Sequence, residues 1–198
     1  AVIALANRHS NIFADKLIHH SLIVGIRASG AKLIRFEHNN IDSLEKLLSK
    51  YKKQNPNRSS LVITESLFSM EGTSPPISQI AELCEKFGSK LLIDEAHALG
   101  IMGSEGKGLC YGVKKSIEVI SGTFGKAFGG GGAFLATSDR TYNKLIQTSG
   151  AFIYTTALAP SLAASALASL KLIRENPTWG KDLIGIASSW RSKLIEHG

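Results

Sequence analysis

Residues 90–134 of the 198-residue chain, KLLIDEAHALGIMGSEGKGLCYGVKKSIEVISGTFGKAFGGGGAF, decide the fold that the sequence predicts. An apolar run ends in Asp94-Glu95-Ala96-His97, and a second run, residues 117–120, leads into a turn with Lys126 and four glycines. Strands covered on both faces of a sheet are apolar throughout, so each run predicts a buried strand. Polar side chains that follow such strands lie at their carboxyl ends, where open α/β sheets bind ligands. The stretch therefore predicts a site with an acid, an imidazole and a lysine.

The rest of the chain alternates between short strand patterns and helical patterns. Further strands are predicted at residues 11–15, 32–37, 60–66 and 133–137. Helical patterns end near Ala28, run from Asp42 to Gln54, and occupy residues 77–87, 140–148, 161–175 and 181–196. This alternation has the spacing of βαβ units. It predicts an α/β fold, in which a mostly parallel sheet is flanked by helices on both faces.

Local signals predict where some helices begin, end and pack. Asp42 and Glu45 have the spacing of a capping box at a helix start, with Asp in place of Ser or Thr. Gly30 and Gly88 are typical residues at a helix end. The high Ala and Leu content of residues 161–175 predicts that this helix is buried.

The composition is that of an ordinary globular domain. A hydrophobic content of 43% with 20% charged residues allows one sizeable core. Cys84 and Cys110 lack metal-ligand spacing, which favours a reduced cytoplasmic protein over a disulfide scaffold or a zinc site. No export signal or apolar run of membrane-spanning length occurs, and we expect no membrane, nucleic-acid or metal partner. The net charge of +7 is compatible with an anionic cosubstrate such as a coenzyme A thioester, but it does not select one.

The string Asp94-Glu95-Ala96-His97 allows three interpretations. Asp94 can cap the following turn while His97 packs in the core. The same letters occur in the acidic box of a helicase-type ATPase, where acids hold Mg²⁺, but that interpretation also needs a phosphate loop of the form G-x-x-x-x-G-K-[ST]. Each Gly-Lys pair in this chain is followed by Gly, Ala or Asp instead. In the third interpretation, Asp94 faces a crevice and binds a cationic group.

Lys126 is either an ordinary surface lysine in a glycine loop or a nucleophile. A lysine that reacts with an aldehyde must be partly desolvated, because desolvation disfavours its ammonium form. The hydroxyl group of Thr123 and the backbone N–H groups of the glycine-rich turn can bind a phosphate. The loop therefore has the residues that a phosphate-bearing aldehyde would need.

These motifs together predict a site for pyridoxal 5'-phosphate (PLP). This cofactor requires a lysine for covalent attachment, an acid at its pyridine nitrogen, a donor near its phenolic oxygen and ligands for its phosphate. The chain can supply these groups, in that order, from Lys126, Asp94, His97 and Thr123. A flat group should also cover the cofactor ring, and His19 and His20 are both candidates.

Five segments, in this order along nearly the whole chain, resemble the α-oxoamine synthases. These PLP-dependent enzymes of fold type I join an amino acid to an acyl thioester with loss of carbon dioxide. The segments are residues 15–21 (DKLIHHS), 64–72 (TESLFSMEG), 94–97 (DEAH) with 103–108 (GSEGKG), 122–129 (GTFGKAFG) and 153–156 (IYTT). The resemblance implies the large, aminotransferase-like domain of such an enzyme.

The resemblance also implies a role for individual residues. His19 stacks on the cofactor ring and acts in catalysis with Lys126, which bonds to the cofactor. Asp94 binds the pyridine nitrogen, His97 binds the phenolic oxygen, and Ser69 lies beside the cofactor. Because His20 stands where the family has a small residue, both neighbouring imidazoles remain candidates for stacking.

Partners and substrates follow from the same resemblance. Thr155 and Thr156 match a segment that reaches the phosphate in the neighbouring subunit, which implies a homodimer with shared sites. Residues 122–129 and 153–160 are most similar to the members that condense L-alanine with a pimeloyl thioester, carried by coenzyme A or acyl carrier protein. Members that use glycine or serine share the cofactor residues, so they remain alternatives.

The chain is expected to be a fragment. Its first residues lie in a helical pattern, no closing element follows residue 196, and the family's chains are about twice as long. Residues 1–175 are expected to form the PLP-binding large domain without its N-terminal part. Residues 176–198 are expected to form either a connecting helix or the start of a small C-terminal domain.

Overall fold

Six short strands form one sheet in the computed structural model, which describes residues 1–197. They are β1 Asn11–Asp15, β2 Lys32–Phe36, β3 Leu61–Glu65, β4 Lys90–Asp94, β5 Val119–Thr123 and β6 Ala133–Thr137. Their order across the sheet is β2-β1-β3-β4-β5-β6. The first five strands are parallel to one another, and β6 is antiparallel to β5. The predicted α/β fold with a mostly parallel sheet is therefore confirmed.

One helix precedes β1, helices connect the strands from β1 to β4 in chain order, and the remaining helices follow β6. They are α1 Val2–Leu5, α2 His20–Ser29, α3 Ile41–Gln54, α4 Ile77–Phe87, α5 Asp139–Thr148, α6 Gly150–Ile153, α7 Pro160–Glu175 and α8 Trp179–His197, with a 3₁₀ turn at Ser104–Gly106. None of the helices within residues 1–197 is both long enough and apolar enough to cross a membrane. Gly198, the last residue of the predicted segment 176–198, lies outside the described residues.

Alternate side chains of the strands build an apolar core on each face of the sheet. On one face, strand residues pack against α3 and α4 in a core that includes Phe13, Leu48 and Ile80. On the other face, they pack against α1 and α2 in a core that includes Ile12 and Ile26. Successive strand residues point to opposite faces, so strands with both faces covered need the unbroken apolar sequences seen here.

The carboxyl ends of β3, β4 and β5 lie side by side at one edge of the sheet. Glu65 is opposite Asp94, and Asp94 is opposite Ser121. Because β6 runs in the other direction, its first residue, Ala133, pairs with Thr123 at the same edge. The polar ends of three strands therefore meet the loop that joins β5 to β6.

The start of α3 differs from the prediction. Asn40 is the N-cap, and its Oδ1 accepts a hydrogen bond from the backbone N–H of Ser43 at 2.8 Å. Asn caps helices as well as Asp does, and Asp42 instead lies in the first turn, where its charge suits the helix dipole. Glu45 pairs with Lys86 of α4 at 2.7 Å. The predicted capping box of Asp42 and Glu45 is therefore wrong.

The predicted glycine stops of α2 and α4 are confirmed. Gly30 has a φ of 70° and Gly88 a φ of 63°, so both lie in the left-handed region. A side chain with a Cβ is disfavoured there, whereas glycine adopts this conformation freely. Each glycine thus reverses the chain into the strand that follows, β2 or β4.

β5 lies further along the chain than the apolar run that predicted it. The prediction was residues 117–120, but the strand is Val119–Thr123. Ile117 packs against the core before the strand begins. Ser121, Gly122 and Thr123 extend the strand because β6 pairs with them. Ser121 therefore belongs to the sheet edge and not to the loop after it.

The prediction that residues 161–175 form a buried helix is wrong. The helix α7 is present, but Ala166 is its only buried residue, and Leu167 is 54% exposed. Helices α1 to α4 already cover much of both sheet faces, and α7 lies against the Ser104–Gly106 turn instead. The hydroxyl of Ser169 donates to the backbone oxygen of Phe128 at 2.7 Å. Composition predicted the helix correctly but not its burial.

Candidate active site

One cavity at the carboxyl edge of the sheet collects most of the predicted site residues. It has a volume of about 280 Å³ and is bordered by the ends of β3, β4 and β5 and by the start of β6. The lining residues are His19, Ser21, Glu65, Asp94, Ala96, His97, Ser121, Gly122, Thr123, Lys126 and Ala133. The predicted residues that it brings together are His19, Asp94, His97, Thr123 and Lys126.

The amine of Lys126 lies in this cavity against the imidazole of His97. Its Nζ forms a short hydrogen bond with Nε2 of His97. Burial lowers the pKa of Lys126, and attraction to the carboxylates of Asp94 and Glu65 offsets part of this change. Burial and the nearby charge of Lys126 likewise lower the pKa of His97. Both changes favour the neutral groups, so the amine is more available as a nucleophile than that of a solvated lysine.

The adjacent acids Asp94 and Glu95 point to different places. Asp94 lines the cavity, and its Oδ1 also accepts a hydrogen bond from the backbone of Ala96 at 2.9 Å. Glu95 is 2% exposed, and its Oε1 accepts from the backbone N–H groups of Leu109 at 2.6 Å and Cys110 at 2.9 Å. Glu95 therefore anchors a loop and is not available to a metal ion. Residues 1–197 also contain no group of three or more His, Cys, Asp or Glu that could hold one.

His19 lines the cavity, whereas the neighbouring His20 does not. His19 is the N-cap of α2, and its Nδ1 lies 2.8 Å from Oγ of Ser21. Its backbone N–H donates to Oε1 of Glu65 at 2.5 Å. These two contacts hold the residue at the cavity wall. Of the two histidines that the sequence left open, the geometry favours His19.

Thr123 and glycines organise the loop that carries Lys126. The Oγ1 of Thr123 donates to the backbone oxygen of Gly132 at 3.1 Å and accepts from the N–H of Gly125 at 3.1 Å. The N–H of Phe124 donates to the same oxygen of Gly132 at 2.9 Å. Gly132 has a φ of 100°, which residues with a Cβ rarely adopt. The glycine tract thus closes the loop, and phosphate binding by Thr123 stays a prediction.

No sequence pattern singled out Glu65, which also lines the cavity. Glu65 is the last residue of β3, lies opposite Asp94 in the sheet, and is 3% exposed. Burial raises the pKa of its carboxyl group to about 7; the hydrogen bond from His19 lowers it, and the charge of Asp94 raises it further. A signal was available, because Glu65 is a charged residue next to the end of the strand predicted at residues 60–66.

The chemical groups of the cavity fit PLP. The cavity holds an amine with a lowered pKa, a carboxylate and an imidazole, which the cofactor's aldehyde and ring require. The Oγ of Ser121 is buried and has no hydrogen-bond partner among residues 1–197, so it is available to form a hydrogen bond with a bound cofactor. Small side chains, including Ala96 and Ala133, line the remaining wall and leave room for a planar ring.

Ser69, Thr155 and Thr156 are predicted site residues that do not line this cavity. Ser69 is exposed in the turn that follows β3. Thr155 and Thr156 are exposed in the segment between α6 and α7. The proposed contacts of these three residues with the cofactor stay predictions.

Similar proteins were found both by sequence and by structure. The aminotransferase class I and II family matches residues 1–194. An 8-amino-7-oxononanoate synthase from Anaeromyxobacter sp. (strain K) is 36% identical over 197 residues, which are 98% of this chain and 48% of that protein. The structure of 8-amino-7-oxononanoate synthase from Francisella tularensis has 33% identity and a TM-score of 0.74, over 87% of this chain and 50% of that one.

A variant of serine palmitoyltransferase from S. paucimobilis, solved with a bound PLP–myriocin aldimine, is a further structural neighbour. It has 27% identity and a TM-score of 0.85, over 93% of this chain and 46% of that one. These relatives confirm the predicted resemblance to α-oxoamine synthases and the fold type I sheet. The chain spans about half the length of the curated relatives it matches, for example 48% of the Anaeromyxobacter protein.

Proposed function

Because the chain belongs to the aminotransferase class I and II family, we propose that its cavity binds PLP and that Lys126 attaches to the cofactor covalently. The convergence of Lys126, Asp94 and His97 in one cavity, at the ends of parallel strands, carries the proposal. In this proposal, Asp94 binds the pyridine nitrogen, His97 binds the phenolic oxygen, and Ser69 lies beside the cofactor. His19 covers the face of the ring.

The remaining predicted residues bind the phosphate group. Thr123 and the glycine tract take part from the same chain. Thr155 and Thr156, which are exposed, reach the site of a second subunit, so the proposal includes a homodimer with shared sites. Residues 1–175 are proposed as part of the large domain, and residues 176–198 as a connecting helix or the start of a small domain. We also propose that the protein is cytoplasmic, because its two cysteines are free.

The chain's own residues bind and move protons in the proposed reaction. When bound, the cofactor supplies an electron sink that stabilises negative charge at the Cα of an amino-acid substrate. The amine of Lys126, which burial makes easier to deprotonate, accepts the Cα proton. Asp94, as a carboxylate, keeps a proton on the pyridine nitrogen. His97 holds the Lys126 amine and the phenolic oxygen in place.

We propose that the whole protein joins an amino acid to an acyl thioester. A carbon–carbon bond forms between the amino-acid Cα, which has lost its proton, and the thioester carbonyl carbon, and the carbon–sulfur bond breaks to release a thiol. The amino-acid carboxyl group leaves as carbon dioxide, and a proton takes its place on Cα. The favoured substrates are L-alanine and a pimeloyl thioester of coenzyme A or acyl carrier protein. The product would be 8-amino-7-oxononanoate, a biotin precursor, and relatives with that synthase name at 36% and 33% identity support this choice.

A second candidate uses another amino acid in the same reaction. The serine palmitoyltransferase neighbour has the higher TM-score, 0.85 against 0.74 for the Francisella enzyme. This similarity favours a serine palmitoyltransferase activity as the second candidate. The family resemblance also leaves a 2-amino-3-oxobutyrate coenzyme A ligase and a 5-aminolevulinate synthase as alternatives. Rates measured for alanine, glycine and serine, each with short and long acyl thioesters, decide between them. Preference for alanine with the pimeloyl thioester supports the first candidate, and preference for serine or glycine overturns it.

Reduction with borohydride after addition of PLP tests the site itself. We expect mass spectrometry to find the reduced cofactor on Lys126 and the visible absorption band to vanish in the Lys126→Ala variant. Lys144→Ala removes an exposed lysine of α5 and should leave both signals unchanged. Label on a different lysine, or an unchanged band in Lys126→Ala, would refute the assignment.

A further inference from the structure

The carboxyl group of Glu65 lines the cavity but has no part in the chemistry proposed above. It ends β3 opposite Asp94 and is 3% exposed, so it lies between the sheet and the cavity. Among residues 1–197, its carboxyl group has one hydrogen-bond partner, the backbone N–H of His19 at 2.5 Å. A buried carboxyl group with a single donor is costly to keep, because burial without full pairing disfavours it. Its neighbours, His19 and Lys126, indicate what the buried carboxyl group does.

The hydrogen bond from His19 fixes the start of α2. The first N–H groups of a helix lack partners within the helix, and so does the N–H of the capping residue. Glu65 accepts this N–H across 46 residues of chain and so ties α2 to the end of β3. Ser21 adds its contact with Nδ1 of His19 at 2.8 Å. Together these bonds hold the imidazole at the cavity wall.

The charges around Glu65 act in opposite directions. Asp94 and Asp15 are carboxylates that disfavour a second negative charge, and burial acts in the same sense. The N–H of His19 and the ammonium group of Lys126 favour the charged form. Asp15 is itself held by the imidazole of His38 at 2.9 Å. The balance leaves Glu65 with a pKa of about 7, so it changes charge near neutral pH.

We propose that Glu65 is a positioning residue that holds His19 through its backbone and sets, by its own charge, how readily Lys126 becomes a free amine. A protonated Glu65 leaves the Lys126 ammonium without one attractive neighbour and so favours the amine. An ionised Glu65 attracts the ammonium form and opposes attachment to an aldehyde. The second half of this inference rests on the proposed role of the cavity as a PLP site, whereas the first half does not.

Hydrogen exchange of the backbone around His19, measured without added PLP, tests the positioning. Glu65→Gln keeps an oxygen that can accept the N–H, so we expect exchange as slow as in the wild type. Glu65→Leu removes it and should speed exchange by about tenfold, the effect of losing one hydrogen bond. Circular dichroism establishes that each variant is folded. Equal exchange in wild type and folded Glu65→Leu would overturn the positioning role, and so would fast exchange in Glu65→Gln.

The pH dependence of the PLP absorption band tests the effect of charge and needs only the Gln variant, which keeps the hydrogen bond. We expect the pH midpoint for attachment to Lys126 to fall by about 0.5 to 1 unit in Glu65→Gln, because the variant lacks the anion that favours the ammonium form. Glu82→Gln, which removes an exposed carboxyl group from α4, should titrate like the wild type. Identical midpoints for wild type and Glu65→Gln would overturn the charge effect.

The two experiments fail separately. If PLP produces no band with the wild type, the proposed function is refuted, and the effect of Glu65 on attachment falls with it. The exchange measurement is made without PLP, so it still decides whether Glu65 holds His19.

Discussion

Helices α3 and α7 are both rich in leucine, yet they place their leucines differently. Leu44 and Leu48 of α3 are fully buried against the sheet. In α7, only Ala166 is buried, and Leu167 is 54% exposed. Helix formation depends on residues within a few turns, whereas burial depends on what lies opposite the helix. Leucines in a helix therefore build the core in one region and lie at an open surface in the other.

The candidate site depends on the sheet, against which α3 packs, much more than on α7. Its lining side chains come from the ends of β3, β4 and β5, from the loops that follow them, from the start of α2 and from the start of β6. Helix α7 contributes no lining residue to this cavity; its Ser169 donates to the backbone oxygen of Phe128, in the loop that carries Lys126, at 2.7 Å. Changes in the sheet region should therefore disturb the fold and the site together, and changes on the exposed face of α7 should disturb neither.

A matched pair of leucine truncations sharpens this contrast most. Leu48→Ala opens a cavity in a fully buried position, and we expect the free energy of unfolding to fall by about 2–5 kcal/mol. Leu167→Ala removes an exposed side chain and should change it by no more than about 0.5 kcal/mol. Urea unfolding of both variants measures the difference. Equal losses would contradict the difference in burial between α3 and α7, because they would require that another surface covers α7 in solution.

The buried carboxyl group of Glu65 should make stability depend on pH in the sheet region. Burial raises its pKa from the ordinary 4.5 to about 7, so the folded state holds the proton more tightly than the unfolded chain does. Its contribution to stability is therefore complete below pH 4.5 and is lost as the pH rises through 7. Relative to Glu65→Gln, wild-type stability should fall across this window by an amount on the order of 2–3 kcal/mol.

Urea unfolding at a series of pH values measures this loss. The control is Glu175→Gln, which removes an exposed carboxyl group at the end of α7 and should follow the wild-type profile. A wild-type profile parallel to that of Glu65→Gln would show that Glu65 does not titrate in this window.

A substitution at Gly122, in β5, should cause a smaller loss of stability in the sheet. A Cβ there would lie 2.5 Å from Cζ of Phe134 and 2.6 Å from Cδ1 of Leu99. We expect Gly122→Ala to destabilise the fold by about 1–2 kcal/mol, in the lower part of the range for overpacked cores, because both atoms are side-chain ends that can shift. Thermal unfolding measures the loss, and an unchanged midpoint would mean that the sheet edge is looser than described.

The same glycine-to-alanine substitution in α8 should change stability least and should raise it. Gly185 lies inside the helix, and a Cβ there would meet nothing within 4 Å. Gly185→Ala should therefore stabilise the fold by about 0.5–1 kcal/mol, since alanine has the higher helix propensity. The same thermal unfolding experiment reports it. A loss of stability would indicate a surface packed against this face of α8.

Periodicity predicted the sheet well because each strand carries its own signal. Residues 11–15 and 133–137 have the predicted bounds, and α4 has both its predicted ends. β5 was misplaced because apolar character marks where a strand is buried, whereas its end is set by pairing with β6. Asn40 was missed as a cap because Asp42 offers a similar acceptor two residues later. The exposure of α7 could not be predicted, since nothing within a helix states what lies opposite it.

The site was predictable where strand ends carry unusual residues. Asp94 and His97 follow an apolar run, and Lys126 stands out among glycines. Glu65 ends an equally clear strand, but its importance depends on register, because only the pairing of β3 with β4 puts it beside Asp94. Ser121 likewise gains its place from the extension of β5. Contacts with a cofactor at Ser69 are still predictions.

The antiparallel pairing of β5 with β6 has a consequence for the order of folding. Thr123 and Gly132, which close the Lys126 loop, are nine residues apart, whereas Glu65 and His19 are separated by 46. Closing a short loop loses less chain entropy, and contacts between near neighbours form sooner than distant ones. During refolding, we expect the lysine loop to form first and to remain open to water. We expect the long-range hydrogen bond between Glu65 and His19 to form later and to complete the wall of the cavity that Lys126 lines.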